Sequence, residues 1–344
     1  MDKDSRDSSR LVTPAMLGFI VLLCTLPLWI GKVGLYPYLG IEILIWALYA
    51  LSFNLLLGYS GLPSFGHGAY FGIGAYAFGL FQHNIVPSLW LCLMAALGAG
   101  LVAGAMVAAF ISHRRGIYYA FMTIAFGQVF WVVAIKAHSI TGGEDGLLRI
   151  ARLPADFGFA NIDLADNTAL FYFVLAIFAL ALIGLWRLVN SPYGRILQAI
   201  RQNETRAAFI GHNVWLYKFT VFSLSAGLSA LAGGLFAMAQ TSAFPDVMSL
   251  HYSGYVVMMT LIGGGLVSFW GPVIGAALFL LARDIIGAVT TGWMLWFGLL
   301  FMAVVLFKPE GVAGWWQGLR QRTAGMSGNA TGFARLRALL GGRA

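Results

Sequence analysis

Charged residues are scarce in this chain: Asp, Glu, Lys and Arg make up 10% of its 344 residues, against about 25% in soluble globular domains. So few charges cannot cover the surface of a water-soluble fold of this size, and that class is excluded. Cysteine is scarcer still. Cys24 and Cys92 are the only two, and both lie inside apolar runs. They read as small core residues, not as a disulfide framework or a metal site. No G-x-x-x-x-G-K-[ST] segment occurs, so the chain has no P-loop with which to cradle ATP phosphates. Histidines 67, 83, 113, 138, 212 and 251 are scattered without metal-ligand spacing. That speaks against a metal centre and against a membrane enzyme, which needs catalytic polar residues clustered near one interface.

What is present is apolar. Hydrophobic residues make up 60% of the chain, in continuous runs of about 16 to 24 residues, enough to cross a hydrocarbon core of about 30 Å as helices. A barrel would alternate polar and apolar residues over strands of about 10 residues. Lipid offers no water to satisfy the backbone, so continuous helices are the expected solution. The fold class is therefore all-α, a polytopic membrane protein. Ten spans are expected: 16–30, 39–57, 67–81, 89–111, 117–135, 169–186, 217–238, one from 255 to the glycine run 263–265, 272–286 and 293–307. Several are short or broken by glycine. The run 17–30 resembles a signal peptide, but no small-residue cleavage site follows it, so it reads as the first span.

The formal net charge of +8 raises nucleic acid as a partner, but the basic residues sit in short loops between apolar runs, which is the pattern of topology control. Residues 112–116 carry Arg114 and Arg115. Residues 187–218 carry Arg187, Arg195, Arg201, Arg206 and Lys218 against Glu204, and the end of the chain carries Lys308, Arg320, Arg322, Arg335, Arg337 and Arg343. These three stretches are expected in the cytoplasm. The loop 136–167, with Glu144, Asp145, Asp156, Asp163 and Asp166, is expected outside. Ten spans satisfy strict alternation with both termini inside. The expected organisation is a flexible N-terminus at 1–12, a transmembrane domain at 13–310 and a basic cytoplasmic tail at 311–344. Within that tail, 333–340 is a candidate for lying on the membrane surface.

The most informative segment is 190–218. Ser191-Pro192 is a good helix start, and Ile196, Leu197 and Ile200 form an apolar stripe at helical spacing. Gln202-Asn203 breaks the pattern. Residues 204–210 make a second short helix, with Gly211 suited to the left-handed position just past its end. Ala207 and Ala208 give this helix a small face. It can seat in another protein's groove, or the stretch can be a solvated loop; spacing alone leaves both open.

A second group crowds Gly58, Gly61, Gly66, Gly68, Gly72 and Gly74 together with Ser60, Ser64 and His67. Glycines there allow close helix packing, or unwound backbone lining a transport pathway. Glu42 lies near the outer end of its span, where it can reach water. Arg283 and Asp284 lie deeper. Neighbours in a helix point about 100° apart, so these two need not pair with each other. Asp284 is a candidate for structural pairing or for the pathway. The acidic, Gly-rich turn 141–147, with Thr141, Glu144 and Asp145, is either a plain surface turn or a docking point for an outer protein. Gly61-Leu-Pro-Ser-Phe-Gly66 resembles Gly265-Leu-Val-Ser-Phe-Trp-Gly271. Both fall on one side, which an inverted repeat would not allow, so the likeness reads as shared glycine-rich packing chemistry.

Four stretches together resemble the LivM-type permeases of branched-chain amino-acid ABC transporters: 54–76, 116–128 with 141–147, the 190–218 loop, and 263–277. The likeness extends over most of residues 40–315. Pro63 departs from it, standing where Gln or Leu is expected. The resemblance implies that Glu204, Arg206, Ala207, Ala208, Phe209 and Gly211 form the coupling helix to an ATPase. It implies a sister permease, two ATP-binding subunits that carry ATP and Mg, and an extracytoplasmic binding protein, with no cofactor on this chain. The location it implies is the bacterial cytoplasmic membrane. Branched-chain amino acids are the expected substrates, although similar permeases carry urea and short amides. The rival expectation is a self-sufficient secondary transporter or channel, for which only Asp284 and His67 offer a mid-span ion site.

Overall fold

A computed structural model describes residues 18, 23–25, 36, 38–156, 161–307 and 311–315. The expected N-terminal segment 1–12, most of the expected span 16–30, and the chain beyond 315 with its segment 333–340 lie outside the described residues. The described fold is almost wholly helical. The main helices are α1 (Tyr38–Asn54), which continues as a π-helical turn over Leu55–Ser60, α2 (His67–Asn84), α3 (Leu89–Ile111) and α4 (Gly116–Lys136). They are followed by α5 (Asn167–Asn190), α6 (Pro192–Gln202), α7 (Glu204–Phe209) and α8 (Val214–Gln240). The last three are α9 (Leu250–Gly263), α10 (Gly271–Val289) and α11 (Trp293–Phe307). The one pair of strands, Ala155–Asp156 against Asn161–Ile162, is two residues long on each side.

Seven helical segments among the described residues are long and apolar enough to cross a membrane. They are Tyr38–Ser60, Leu89–Ile111, Gly116–Lys136, Asn167–Asn190, Val214–Gln240, Gly271–Val289 and the one beginning at Trp293. That is fewer than the ten expected, and two of the differences have a physical reason. The 14 residues of α9 rise only about 21 Å, short of a bilayer core. The 18 residues of α2 include His67, Gln82, His83 and Asn84. The first expected span falls outside the described residues.

Two helices form the centre. The α1 segment and α8 are almost wholly buried, consistent with apolar or small residues all round. Small residues on α8 set its neighbours: Gly74 of α2 lies against the backbone of Ala230, and Gly233 against the carbonyl of Phe71, so a Cβ at either glycine would overlap backbone. Gly100 and Gly104 of α3 meet the side chains of Ala230 and Ala226 in the same way. Without a hydrophobic force between helices in lipid, this close approach is the main source of packing energy. In contrast, α4 and α11 expose most of their apolar surface, as helices facing lipid or a partner do.

The connections divide the molecule into two ends. At one end lie α6 and α7, the α3–α4 turn and the turns that follow α1 and α9, joined by the side-chain contacts described below. At the other end Leu147 bridges Ala243, Trp90 donates to the Asp156 carbonyl, and Arg152 reaches the Ala239 carbonyl. The two similar glycine stretches, 61–66 and 265–271, both sit at the α6–α7 end, where Gly58 lies beside the Gly265 carbonyl.

Candidate functional site

The segment between α5 and α8 folds as two helices set by local chemistry. Pro192 occupies the first turn of α6, and Gly194, Leu197 and Ile200 turn inward. Asn203 ends α6 and starts α7, its Oδ1 accepting the Arg206 N–H at 2.9 Å. At the far end of α7 the Gly211 N–H donates to Ala208 O and the His212 N–H to Ala207 O, with Gly211 at φ +98. This is the Schellman closure, and it needs a left-handed residue at that position. Burial pushes the Tyr193 phenol up from its ordinary value, against the pull of its 2.8 Å hydrogen bond with Thr220, so it stays protonated where α6 meets α8.

Glu204 anchors α7 to the bundle. One carboxylate oxygen lies 2.8 Å from Lys218 Nζ of α8, the other 3.1 Å from Arg115 Nε of the α3–α4 turn. The Lys218 side chain is 1% exposed and also donates to the Arg114 carbonyl at 2.8 Å, while that of Arg115 is 58% exposed. The exposed pair contributes at most about 1 kcal/mol; the pair that includes the buried lysine dominates, because removing one partner strands a charge away from water. Arg115 also donates to Thr205 Oγ1.

The outward surface of α7 differs from the small face expected. Ala207 is buried and only Ala208 of the two alanines is exposed. The prominent groups are Phe209, 87% exposed, and Ile210, 71% exposed, with the exposed Arg206 beside them. Lys218, Arg115 and Arg201 were visible in the sequence only as topology-setting charges. A lysine inside an otherwise apolar run was the one signal that Lys218 had a buried partner.

Arg201, on α6, reaches into the bundle. Its guanidinium donates to the Gly58 carbonyl and, at 3.3 Å, to the Leu266 carbonyl, and its aliphatic stem lies against Gly61, which adopts φ +69. Ser60 is buried and donates back to Leu56 O at 2.7 Å, and Ser64 is buried with no partner for its hydroxyl among the described residues. Gly66 meets the backbone of Thr123 on α4 so closely that a Cβ would overlap it. His67 is fully buried, its Nε2 3.1 Å from Ser225 Oγ, which donates to Ser52 O at 2.5 Å. The rings of Tyr49, Phe53, Tyr70 and Phe222 surround it.

Asp284 stands apart from this group. Arg283 Nη2 lies 2.8 Å from Glu42 and its Nε 3.1 Å from Asp284, while the Tyr36 hydroxyl donates to Asp284 at 2.9 Å. One expectation changes here, that for Glu42, while the pairing left open for Arg283 and Asp284 is resolved. Glu42 is buried in an ion pair instead of reaching water, and the neighbours Arg283 and Asp284 do pair, because the long arginine side chain bends between two carboxylates.

Around the 141–147 turn, Thr141 faces inward, donating to Ala134 O at 2.6 Å, while Glu144 and Asp145 are exposed. Glu144 lines an open cavity of about 630 Å³ with Trp131, Phe236, Gln240, Asp246 and Tyr252. No group of three or more metal-ligating side chains occurs among the described residues.

Apolar helices long enough to span a bilayer and packed through glycine, with a capped helix pair at one end, describe a multi-pass membrane protein. Residues 38–308 match the family described as the permease component of the branched-chain amino acid transport system, and the chain belongs to that family. It is 28% identical over 289 residues to the high-affinity branched-chain amino acid transport system permease protein LivM of Escherichia coli K12, covering 78% of this chain and 68% of that protein. It is 23% identical over 312 residues to a probable branched-chain amino acid transport permease protein LivM of Methanocaldococcus jannaschii, covering 76% and 88%. It is 24% identical over 240 residues to the guanosine ABC transporter permease protein NupQ of Bacillus subtilis, covering 64% and 71%. No solved structure matches.

Proposed function

We propose that the chain is one permease subunit of an ABC importer in the bacterial cytoplasmic membrane. It carries branched-chain or related amino acids inward, driven by ATP that partner subunits bind with Mg and hydrolyse. The observation that carries the proposal is the exposed Phe209–Ile210 tip of α7, held out from the bundle by a helix whose inner side is fixed through Glu204 to buried Lys218. A nucleotide-binding subunit that grips this tip can move α7, and the Glu204 anchor passes the motion to α8 at the centre of the fold. The basic loops around α6 and α7 support a cytoplasmic location for this end. A sister permease and an extracytoplasmic binding protein complete the assembly.

The opposite cavity supports an amino-acid substrate. Glu144 and Asp246 give it two carboxylates, and Trp131, Phe236 and Tyr252 give it aromatic walls. That combination favours an ammonium group with an apolar side chain beside it. The likeness to two branched-chain amino acid permeases points the same way.

Phe209→Asp tests the proposal. The residue is exposed, so the substitution is expected to leave extraction and folding of the chain unchanged. Co-purification of the ATP-binding subunits should fall at least about tenfold, as for loss of an apolar anchor from an interface, and uptake should fall with it. Unchanged co-purification would exclude α7 as the docking helix.

A further inference from the structure

Two helices, α1 and α9, end at the same place, and one cation bonds to both ends. The α1 segment closes on the left-handed Gly61, whose N–H returns to Leu56 O. Helix α9 closes on the left-handed Gly264, with the Gly265 N–H donating to Thr260 O at 2.8 Å. A helix end presents carbonyls and partial negative charge, and here two such ends converge. Arg201 donates to Gly58 O on one and to Leu266 O just past the other.

Beneath the arginine the joint is tight and poorly satisfied. A Cβ on Gly58 would overlap the Asn54 side chain and lie 2.8 Å from the Gly265 carbonyl oxygen. One on Gly265 would lie 2.6 Å from Asn54 Oδ1 and 2.7 Å from the Thr260 methyl. Asn54 Oδ1, Asn54 Nδ2 and Thr260 Oγ1 are all buried and without a hydrogen-bond partner among the described residues. Buried polar atoms are rarely left so, because each loses its hydrogen bonds to water without replacement. Directly outside, Gly58, Gly265, Arg201, Gln198 and Ser268 line a second cavity, of about 460 Å³. Separation of the two helix ends would let water from that cavity reach all three orphaned atoms.

We infer that Arg201 is the latch of a gate between the ends of α1 and α9, and that Asn54 and Thr260 are the groups hydrated when the gate opens. The closed joint carries an unsatisfied polar cluster that opening relieves, and the arginine, bound to both carbonyls, offsets that cost while the gate is shut. Arg201 belongs to α6, two residues before Asn203, the cap of α7. The latch is therefore placed to be withdrawn when α7 is moved, a role that rests on the coupling function proposed above. Arg201 is a positioning residue on this account and touches no transported solute.

The test follows the accessibility of a thiol at the joint. T260C is introduced with C24S into the full chain, with buried Cys92 kept as a reporter of the fold. Inverted membrane vesicles are treated with a membrane-impermeant maleimide, and a parallel sample with a membrane-permeant one, which can also reach Cys92 near the far end of α3. The introduced thiol should label slowly behind Arg201. R201Q should raise its rate at least about tenfold, the shift expected from losing a charge-assisted hydrogen bond. R201K, which keeps the positive charge but not the two-pronged guanidinium, should lie between. Cys92 should stay protected throughout. Equal rates with and without R201Q would overturn the latch, as would Cys92 labelling in step with the introduced thiol, because the joint would then be loosened only by general unfolding. The measurement needs no ATP-binding subunit, so its failure is distinct from a failure of α7 to bind one.

Discussion

Replacement of Glu204 by alanine is expected to release α7 from the bundle and abolish uptake. Among the described residues the carboxylate is the only acidic partner of Lys218, whose side chain is 1% exposed. Without it the ammonium retains, among the described residues, the Arg114 carbonyl alone. Removing one member of a buried pair costs about 3–5 kcal/mol; because the Glu204 side chain is 18% exposed, the lower end applies, roughly 3 kcal/mol. Arg115→Ala makes the contrast. It removes the other cation from the same carboxylate, but that arginine is largely in water, and a cost under about 1 kcal/mol is expected. The double variant Glu204→Gln with Lys218→Met removes both charges together and should regain most of the order lost in Glu204→Ala. Hydrogen exchange of the amides from 203 to 212 reports the order. Loss of protection in Glu204→Ala, near-normal protection in Arg115→Ala and recovery in the double variant are the expected outcomes. Equal protection in all of them would show that the buried pair does not hold α7.

The second large effect is expected at the centre of the fold. Gly74→Leu should prevent assembly of the bundle, because its Cβ position coincides with the Ala230 backbone of α8. Overpacked side chains typically cost about 1–3 kcal/mol because neighbours can shift. Backbone against backbone cannot, so a loss of roughly 3 kcal/mol or more is expected, and even Gly74→Ala must force α2 and α8 apart. Gly98→Leu is the control, since a Cβ at Gly98 on α3 meets nothing within 4 Å. Size-exclusion profiles after detergent extraction should show aggregated Gly74→Leu and monodisperse Gly98→Leu. A monodisperse Gly74→Leu would contradict the close α2–α8 contact.

The helices were legible in the sequence because lipid imposes a length on them. The run 89–111 coincides with α3, and the runs behind α4, α5 and α8 were placed within a few residues. The break at Asn203 and the left-handed Gly211 were legible too, since capping chemistry is local. The inner and outer faces of α1 and α8 were not legible, because helices buried all round carry no amphipathic stripe. Pairings across the bundle were hidden for a related reason. Glu204 and Lys218 are 14 residues apart in sequence, and Glu42 and Arg283 far more; no periodicity records that each pair meets. Orientation of a six-residue helix was also out of reach. Only its docking shows that Ala207 turns inward and Phe209 outward. Glycine content announced close packing around α2 but could not show which backbone each glycine meets.

Transport through this chain is expected to require a neighbour that hydrolyses ATP and moves it. Reconstitution in liposomes tests that most directly, with the purified chain alone compared against the chain with its sister permease, ATP-binding subunits and binding protein. Accumulation of a branched-chain amino acid is predicted only in the complete assembly and only with MgATP. Accumulation by the chain alone, driven by an ion gradient and indifferent to ATP, would contradict it.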